Sequence, residues 1–560
     1  MKFSIFGDFL YSRPCKSFLA HSSKEFREAF DELERYRKQY FCVGFVSYEA
    51  YLAFESEDFY SSFPLLYFTA FKHQEPFSPQ KSEDVFFPHH RKFLDKHSYI
   101  QKIQSLQNEI KEGNTYQGNF TTFLEFQSTL ESKSIFKLLL QRQNTAYKAF
   151  LPTPFGEILS FSPELFFQIR GQEILTKPMK GTMPRGESQG EDEANKLFLS
   201  QDLKNRSENV MIVDLLRNDL SKIIQKGSLQ VPHLFEIETY PTLFQMTSSI
   251  QGKLIDGISL FEVFEALYPC GSITGAPKKS TIEILKGLEN KERGVYCGAI
   301  GMLYGENATF SIPIRTIYKQ ENRCLYGVGS GIVWDSKPEE EYAELQTKMK
   351  FLFSRPDFSL LETMLYTPCP IRQEFLEIPS GLAFLSLHLE RLKRSAGELG
   401  FAYQESIEQD LQDLSYAEPK VLRLLLSEKG EYKIEVLPLS KIESNQVILL
   451  EKTTRSDLDQ FKTTLDKDLS FLQENKLFDV IYHQEGILLE GKRSNLVLEL
   501  EDGFFTPKYE HNFLPGVCRA VLLQNGVIKE KKLEVADLKR AKRVFCINSV
   551  RGILEVSYQV

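Results

Sequence analysis

An α+β fold in two parts is what this sequence predicts, and three observations carry the prediction. Strand-like runs recur along the whole chain with amphipathic helical stretches between them. The length of 560 residues exceeds what one ordinary core organises. A break at Ser354-Arg355-Pro356-Asp357 follows a helical stretch, where proline disfavours continuing the helix. The boundary is placed there, giving parts 1–355 and 360–560.

In the first part, a charged helical stretch at 25–40 lies between strand-like runs at 41–53 and 65–71 and the N-terminus. The helix predicted over 98–112 ends at Gly113-Asn114, a sequence suited to a C-cap. A strand follows at 116–126, and further strands are expected at 157–161, 164–170, 295–304, 308–316 and 323–327. Val213, Leu216, Leu220 and Ile223 recur at helical spacing. The second part opens with an apolar run at 360–366, continues through a helix near 387–400, and carries Asp502-Gly503 between strand-like flanks, a hairpin signal. There is no tandem repeat and no low-complexity linker.

A net charge of -8 with 42% hydrophobic and 26% charged residues argues against a nucleic-acid or membrane-surface partner. The eight cysteines include no CxxC pair, so they read as reduced thiols and not as a disulfide framework or zinc site. Gly7, Asp8, Ser12, Arg13 and Pro14 interrupt any leader-like apolar core, and no run of 18 apolar residues occurs. A cytoplasmic enzyme is therefore expected.

The residues that carry chemistry begin with Lys177-Pro-Met-Lys180-Gly-Thr-Met-Pro-Arg-Gly186, which sets a lysine in a Gly/Pro-bounded turn where it can serve as a nucleophile. Lone lysines are mostly solvated, so the reading depends on its companions. Glu341, Glu344 and Lys348 share one side of a helix. Glu208 flanks an apolar helix face, a place for a rim ion pair or for a divalent-metal ligand.

With SPEL (162–165), KPMKGTMPRG, SENVMIVDLLRNDL, GSITGAPKKSTIEI (271–284), YCGAIG (296–301), SIPIRT (311–316) and GVGSGIVWDSKPEEEYAE (327–344) in this order, residues 1 to about 352 resemble the chorismate-binding synthase family. The resemblance implies a two-layer α+β domain and Mg2+ held by Glu208 and Glu344, with Glu341 nearby. Such a hard cation would neutralise one substrate carboxylate. Arg315, with a fork suited to a carboxylate, would grip the other beside Tyr296. Thr182, Thr274, Gly275, Gly329, Lys348 and Gln117 are carried over as substrate contacts, and Glu164 as the acid that protonates the departing C4 hydroxyl. Most relatives have alanine at the position of Lys180, whereas aminodeoxychorismate synthases have lysine. Gln117 stands where isochorismate-forming relatives have a water-activating lysine. Together these imply that the Lys180 amine attacks C2 of chorismate and that ammonia then enters at C4. Lys180 must be neutral to attack, so apolar or cationic neighbours are expected around it. Phe244 replaces a histidine common in relatives, which leaves that residue's role unfilled. No Gly-x-Cys-x-Gly elbow is present, so a separate glutamine amidotransferase subunit is expected to supply ammonia.

LLETMLY (360–366), LHLERLKRSAGELGF, EKTTRSD, LEGKRSNLVLE, TPKYEHNFLPGVCR and INSVRG (547–552) are similar to segments of the fold-type IV pyridoxal-phosphate (PLP) enzymes, which include aminotransferases and 4-amino-4-deoxychorismate lyase. The similarity implies phosphate binding by Arg391 and by backbone donors at Gly516, Val517 and Cys518. It makes Lys452 the cofactor lysine, with Lys462 as second candidate, and pairs Glu490 with the pyridine nitrogen. Many relatives have a hydroxyl residue where Cys518 stands. Both parts point to one route, from chorismate through aminodeoxychorismate to 4-aminobenzoate, with a homodimer through the second part allowed. The alternatives are an anthranilate synthase fused to an aminotransferase, which Lys180 opposes, and a second part that is a catalytically silent partner-binding module.

Overall fold

The computed structural model describes all residues except 1–2, 187, 240–242, 354–357, 466–468, 511–512 and 560. The break expected at 354–357 lies outside the described residues. The chain forms two compact units: 1–81, 92–126 and 132–352 make up the first, while 82–91, 127–131 and 353–560 make up the second. Two short segments of the N-terminal half thus belong to the second unit.

In the first unit the described strands join into one large, mostly antiparallel sheet. It passes from Gly275–Ala276 through Gln117–Gln127, Arg323–Ile332 and Thr316–Gln320 at one end. At the other end Leu165–Arg170, Glu173–Lys177 and Met179–Pro184 pair in series with the long strand Leu243–Lys253. Helix Leu203–Ser221 packs on Met179–Pro184 and Leu243–Lys253, and helix Pro338–Met349 on Arg323–Ile332. The α+β class is borne out.

Local chemistry explains most element ends. Helix Ser23–Tyr36 starts at a capping box in which Ser22 accepts from Glu25 N and Glu25 answers on the Ser22 backbone. The strand expected over 41–53 stops at Val46, because the chain then turns into a 3-10 turn at Tyr48–Ala50 and helix Tyr51–Glu55. The strand expected over 308–316 is divided: Asn307–Ser311 ends before Pro313, which has no N–H for a ladder, and pairing resumes at Thr316. In the other direction, the strand expected to end at Gly327 runs on to Ile332 through the glycine-rich GVGSG.

The second unit contains a four-stranded sheet around Leu360–Thr367 and Lys420–Leu426, and an eight-stranded mixed sheet. Helix Leu385–Leu399 packs on Leu360–Thr367 and ends at Gly400 in the left-handed conformation, φ 77°. The Asp502-Gly503 turn is a hairpin, with Leu500 opposite Gly503.

Candidate active sites

The lysine-bearing motif of the first unit is a bulged strand, where the sequence reading expected a turn. Met179 pairs with Thr247 and Thr182 with Gln245, so Lys180 and Gly181 together oppose Met246. Gly181 takes φ +81°, and a Cβ there would meet Asn205 of helix Leu203–Ser221 at 2.8 Å. Glycine is required on both counts. The bulge re-aims Lys180: its Nζ lies 3.3 Å from the point a Cβ on Gly331 would occupy, and Gln117 Nε2 lies 2.9 Å from the same point. Gln117 is buried, and its Oε1 has no partner. The structure thus brings Lys180 and Gln117 together at a glycine the sequence reading did not single out. The signal for Gly331 was the third glycine of GVGSG.

Glu164, at the start of Leu165–Arg170, is buried and accepts from Ser272 Oγ at 2.9 Å. Burial pushes its carboxyl up to about 7, against the opposing pull of Ser272 and of Lys180. A carboxyl that keeps its proton near neutrality is suited to donate it. Where the sequence reading expected apolar or cationic neighbours for Lys180, two carboxyl groups, Glu164 and Glu344, lie within its electrostatic reach. Glu164 exerts no charge while it holds its proton.

The proposed metal carboxylates sit on two helices, Glu208 half-buried on Leu203–Ser221, Glu341 and Glu344 on Pro338–Met349. Glu341 accepts from Ser336 at 2.9 Å, and burial, then Glu344, raises its carboxyl. Burial opposes ionisation of Glu344, but Lys348 at 2.8 Å, with Lys180 and Lys204, holds it below the ordinary range. Among the described residues no three His, Cys, Asp or Glu side chains stand together as a ready-made cage. The donors present are hard oxygens of the kind Mg2+ takes when substrate and water complete its shell.

Several expected substrate contacts are occupied inside the protein. Lys348 donates to Gly329 O at 2.8 Å. A Cβ on Gly329 would meet Phe120 O at 2.6 Å, and one on Gly275 would meet Gln117 O at 1.9 Å, so both glycines serve close backbone approach. Thr274 donates to Cys270 O, and Thr182 to Gln245 Oε1. Tyr296 is buried with its ring against Gly327, and Phe244 lies under the Arg185 guanidinium. Arg315 adopts φ +52°, a conformation costly for a non-glycine residue, and burial lowers its pKa.

In the second unit, helix Leu385–Leu399 presents His388 and Arg391 to Glu362, all three buried. Arg391 Nε and Nη2 reach the two Glu362 oxygens at 2.8 and 2.6 Å, and His388 Nδ1 lies 2.6 Å from Oε2. Burial opposes the Glu362 charge, but Arg391 and His388 overcome it and hold the carboxyl far below its usual range. The Arg391 fork therefore faces Glu362, and Nη1 reaches Pro515 O. Gly516 N donates to Asn495 Oδ1 at 3.0 Å, so that donor is already used. Cys518 points into the apolar core, its thiol pushed up to about 12 by burial, which leaves its backbone alone to meet a phosphate. Helix Val517–Gln524 has no side-chain cap, so no side chain meets the N–H groups of its first turn.

The two lysines differ. Lys452 is ion-paired to Asp459 at 3.0 Å. Lys462 is pushed down to about 8 by burial, against the pull of Glu362, with Arg391 and Arg423 adding to the shift. Glu490 is pushed up to about 8 by burial and accepts from Leu514 N at 2.8 Å. Lys462 and Glu490 are each half-buried. The Glu490 carboxyl, which accepts from Leu514 N and Asn495 Nδ2, the Lys462 amine inclined to lose its proton, and a helix N-terminus without a side-chain cap fit the ring nitrogen, aldehyde and phosphate of PLP.

These two constellations define a class: a chorismate-type synthase unit followed by a class IV aminotransferase-type unit. The family model of chorismate binding enzymes matches residues 6–354, and the chain belongs to that family. The model of amino-transferase class IV matches residues 360–558. Aminodeoxychorismate synthase component 1 of Bacillus subtilis (strain 168) is 37% identical over 247 residues, 44% of this chain and 53% of that protein. Anthranilate synthase component 1 3 of Haloarcula marismortui is 36% identical over 266 residues, 47% of this chain and 53% of its own. The matched stretch thus spans about half the length of these relatives. The crystal structure of anthranilate synthase component I from Streptococcus pneumoniae TIGR4 shares the fold, with TM-score 0.55 and 21% identity over 62% of this chain and 92% of that one. Among the described residues no helix is long and apolar enough to cross a membrane.

Proposed function

We propose that the chain converts chorismate and ammonia to 4-amino-4-deoxychorismate at the first site and releases pyruvate from it at the second, giving 4-aminobenzoate. The observation that carries this reading is Lys180, aimed by the bulge at Gln117 and within reach of Glu164. The Lys180 amine forms a bond to ring C2 while Glu164 gives its proton to the departing C4 hydroxyl. Ammonia then bonds at C4 and the lysine leaves C2 with the ring electrons restored. Glu208, Glu344 and the neighbouring Glu341 would hold Mg2+, which supplies charge neutralisation for a substrate carboxylate. Arg315 is the candidate for the other carboxylate.

At the second site PLP, when bound, supplies an electron sink. Of the two candidate lysines we assign the cofactor role to Lys462, because burial pushes its amine down to about 8 and so favours the unprotonated form, whereas Lys452 is held by Asp459. Lys462 Nζ also takes the C4 proton, after which the C3–oxygen bond of the enolpyruvyl group breaks and the ring becomes aromatic. Glu490 would hold the pyridine nitrogen. The relatives' designation as component 1 supports a separate subunit, a glutamine amidotransferase, as the ammonia source.

The anthranilate reading draws on the Haloarcula relatives. Incubation of the chain with chorismate, Mg2+, PLP and ammonium distinguishes the two. The proposal expects 4-aminobenzoate, and 2-aminobenzoate as sole product would refute it. Borohydride reduction of the PLP-loaded chain should leave a pyridoxyl group on Lys462; finding it on Lys452 would overturn that assignment.

A further inference from the structure

Asp457 lies five residues before Lys462, is 1% exposed, and forms no ion pair among the described residues. Its carboxylate is instead received by a ring of neutral donors. Phe87 N donates to Oδ2 at 3.0 Å, Ser128 Oγ to Oδ2 at 2.8 Å, and Thr129 N and Oγ1 to Oδ1 at 2.7 and 3.1 Å. The backbone on either side is fastened to the same segments. Val85 N donates to Arg455 O and Asp457 N to Val85 O, both at 3.0 Å. Asp84 receives Arg455 N at 2.9 Å, and Glu131 pairs with the Arg455 guanidinium at 2.9 Å. Phe87 shares one apolar cluster with Leu458 and with Phe461, the residue before Lys462.

All these partners belong to the second unit, yet 84–87 and 128–131 lie inside the residues matched by the chorismate-binding model, outside those matched by the aminotransferase model. A buried carboxylate costs several kcal/mol unless its lone pairs are met, so such a ring is a strong determinant of where its segment sits. We propose that Asp457 is a positioning residue that sets Lys462, and that Ser128 and Thr129 thereby determine how well the second site holds its cofactor. The inference rests on Lys462 as the cofactor lysine.

The test uses the full-length chain with Ser128→Ala/Thr129→Val, and Ser128→Thr as the conservative control. Three readouts are taken: PLP affinity of the apo-protein by titration of its visible band, the pH midpoint of that band, and hydrogen exchange across 452–465 and across the strands 543–559. The double variant should bind PLP about tenfold or more weakly, with a displaced midpoint and faster exchange confined to 452–465, and Ser128→Thr should stay near wild type. Unchanged affinity and exchange in the double variant would overturn the inference. So would faster exchange spread equally over 543–559, which would mark Ser128 and Thr129 as general supports of the unit. A wild-type chain that binds PLP with no borohydride label on Lys462 would sink the underlying assignment first, and is read separately from the variants.

Discussion

Lys180 can attack a ring carbon only with a free electron pair, and Glu164 can assist only while it carries its proton. Burial supplies the second condition by pushing Glu164 up to about 7. As pH rises through that value the acid is lost, so the synthase rate should fall on the alkaline side. Ser272 favours the Glu164 anion through its hydrogen bond, and Ser272→Ala should therefore move this limb to higher pH; a limb that stays in place or moves down in a pH–rate profile would contradict the assignment. Lys180→Ala should slow aminodeoxychorismate formation by roughly a thousandfold or more, as when a nucleophile acting within a unit is removed. Chorismate affinity, measured by equilibrium titration, should remain close to wild type.

At the scale of elements, two glycines separate fold from chemistry. Gly181 holds the bulge at φ +81° against Asn205, so Gly181→Ala should cost about 1–2 kcal/mol or more and lower the melting temperature. Gly331 has an ordinary φ, and its new Cβ would meet only the ends of Gln117 and Lys180. Gly331→Ala should leave the melting temperature nearly unchanged and reduce synthase turnover; the reverse pattern would mean that Lys180 is not where the chemistry occurs. Elements governed by local rules were legible in the sequence, as with the Ser22–Glu25 box and the Asp502-Gly503 hairpin. The Lys180 bulge was not, because it depends on the register of Leu243–Lys253, some 60 residues away. Nor was the choice between Lys452 and Lys462, since Thr-Thr follows both; only the folded chain shows that one amine is ion-paired and the other buried.

At the scale of the whole molecule, the proposed function gives the chain two sites whose chemistries join at one intermediate, and their separability can be measured. Lys462→Ala should accumulate aminodeoxychorismate, Lys180→Ala should still convert supplied aminodeoxychorismate to 4-aminobenzoate, and a mixture of the two variants should recover the full conversion. The sequence order of motifs made this two-part plan readable, while the Asp457 ring stayed hidden because its partners lie more than 300 residues away along the chain. The most direct measurement is the identity of the aromatic product formed from chorismate and ammonium by the PLP-loaded, Mg2+-supplied chain. The account predicts the para isomer, with the amine opposite the ring carboxylate, and formation of the ortho isomer alone would contradict it.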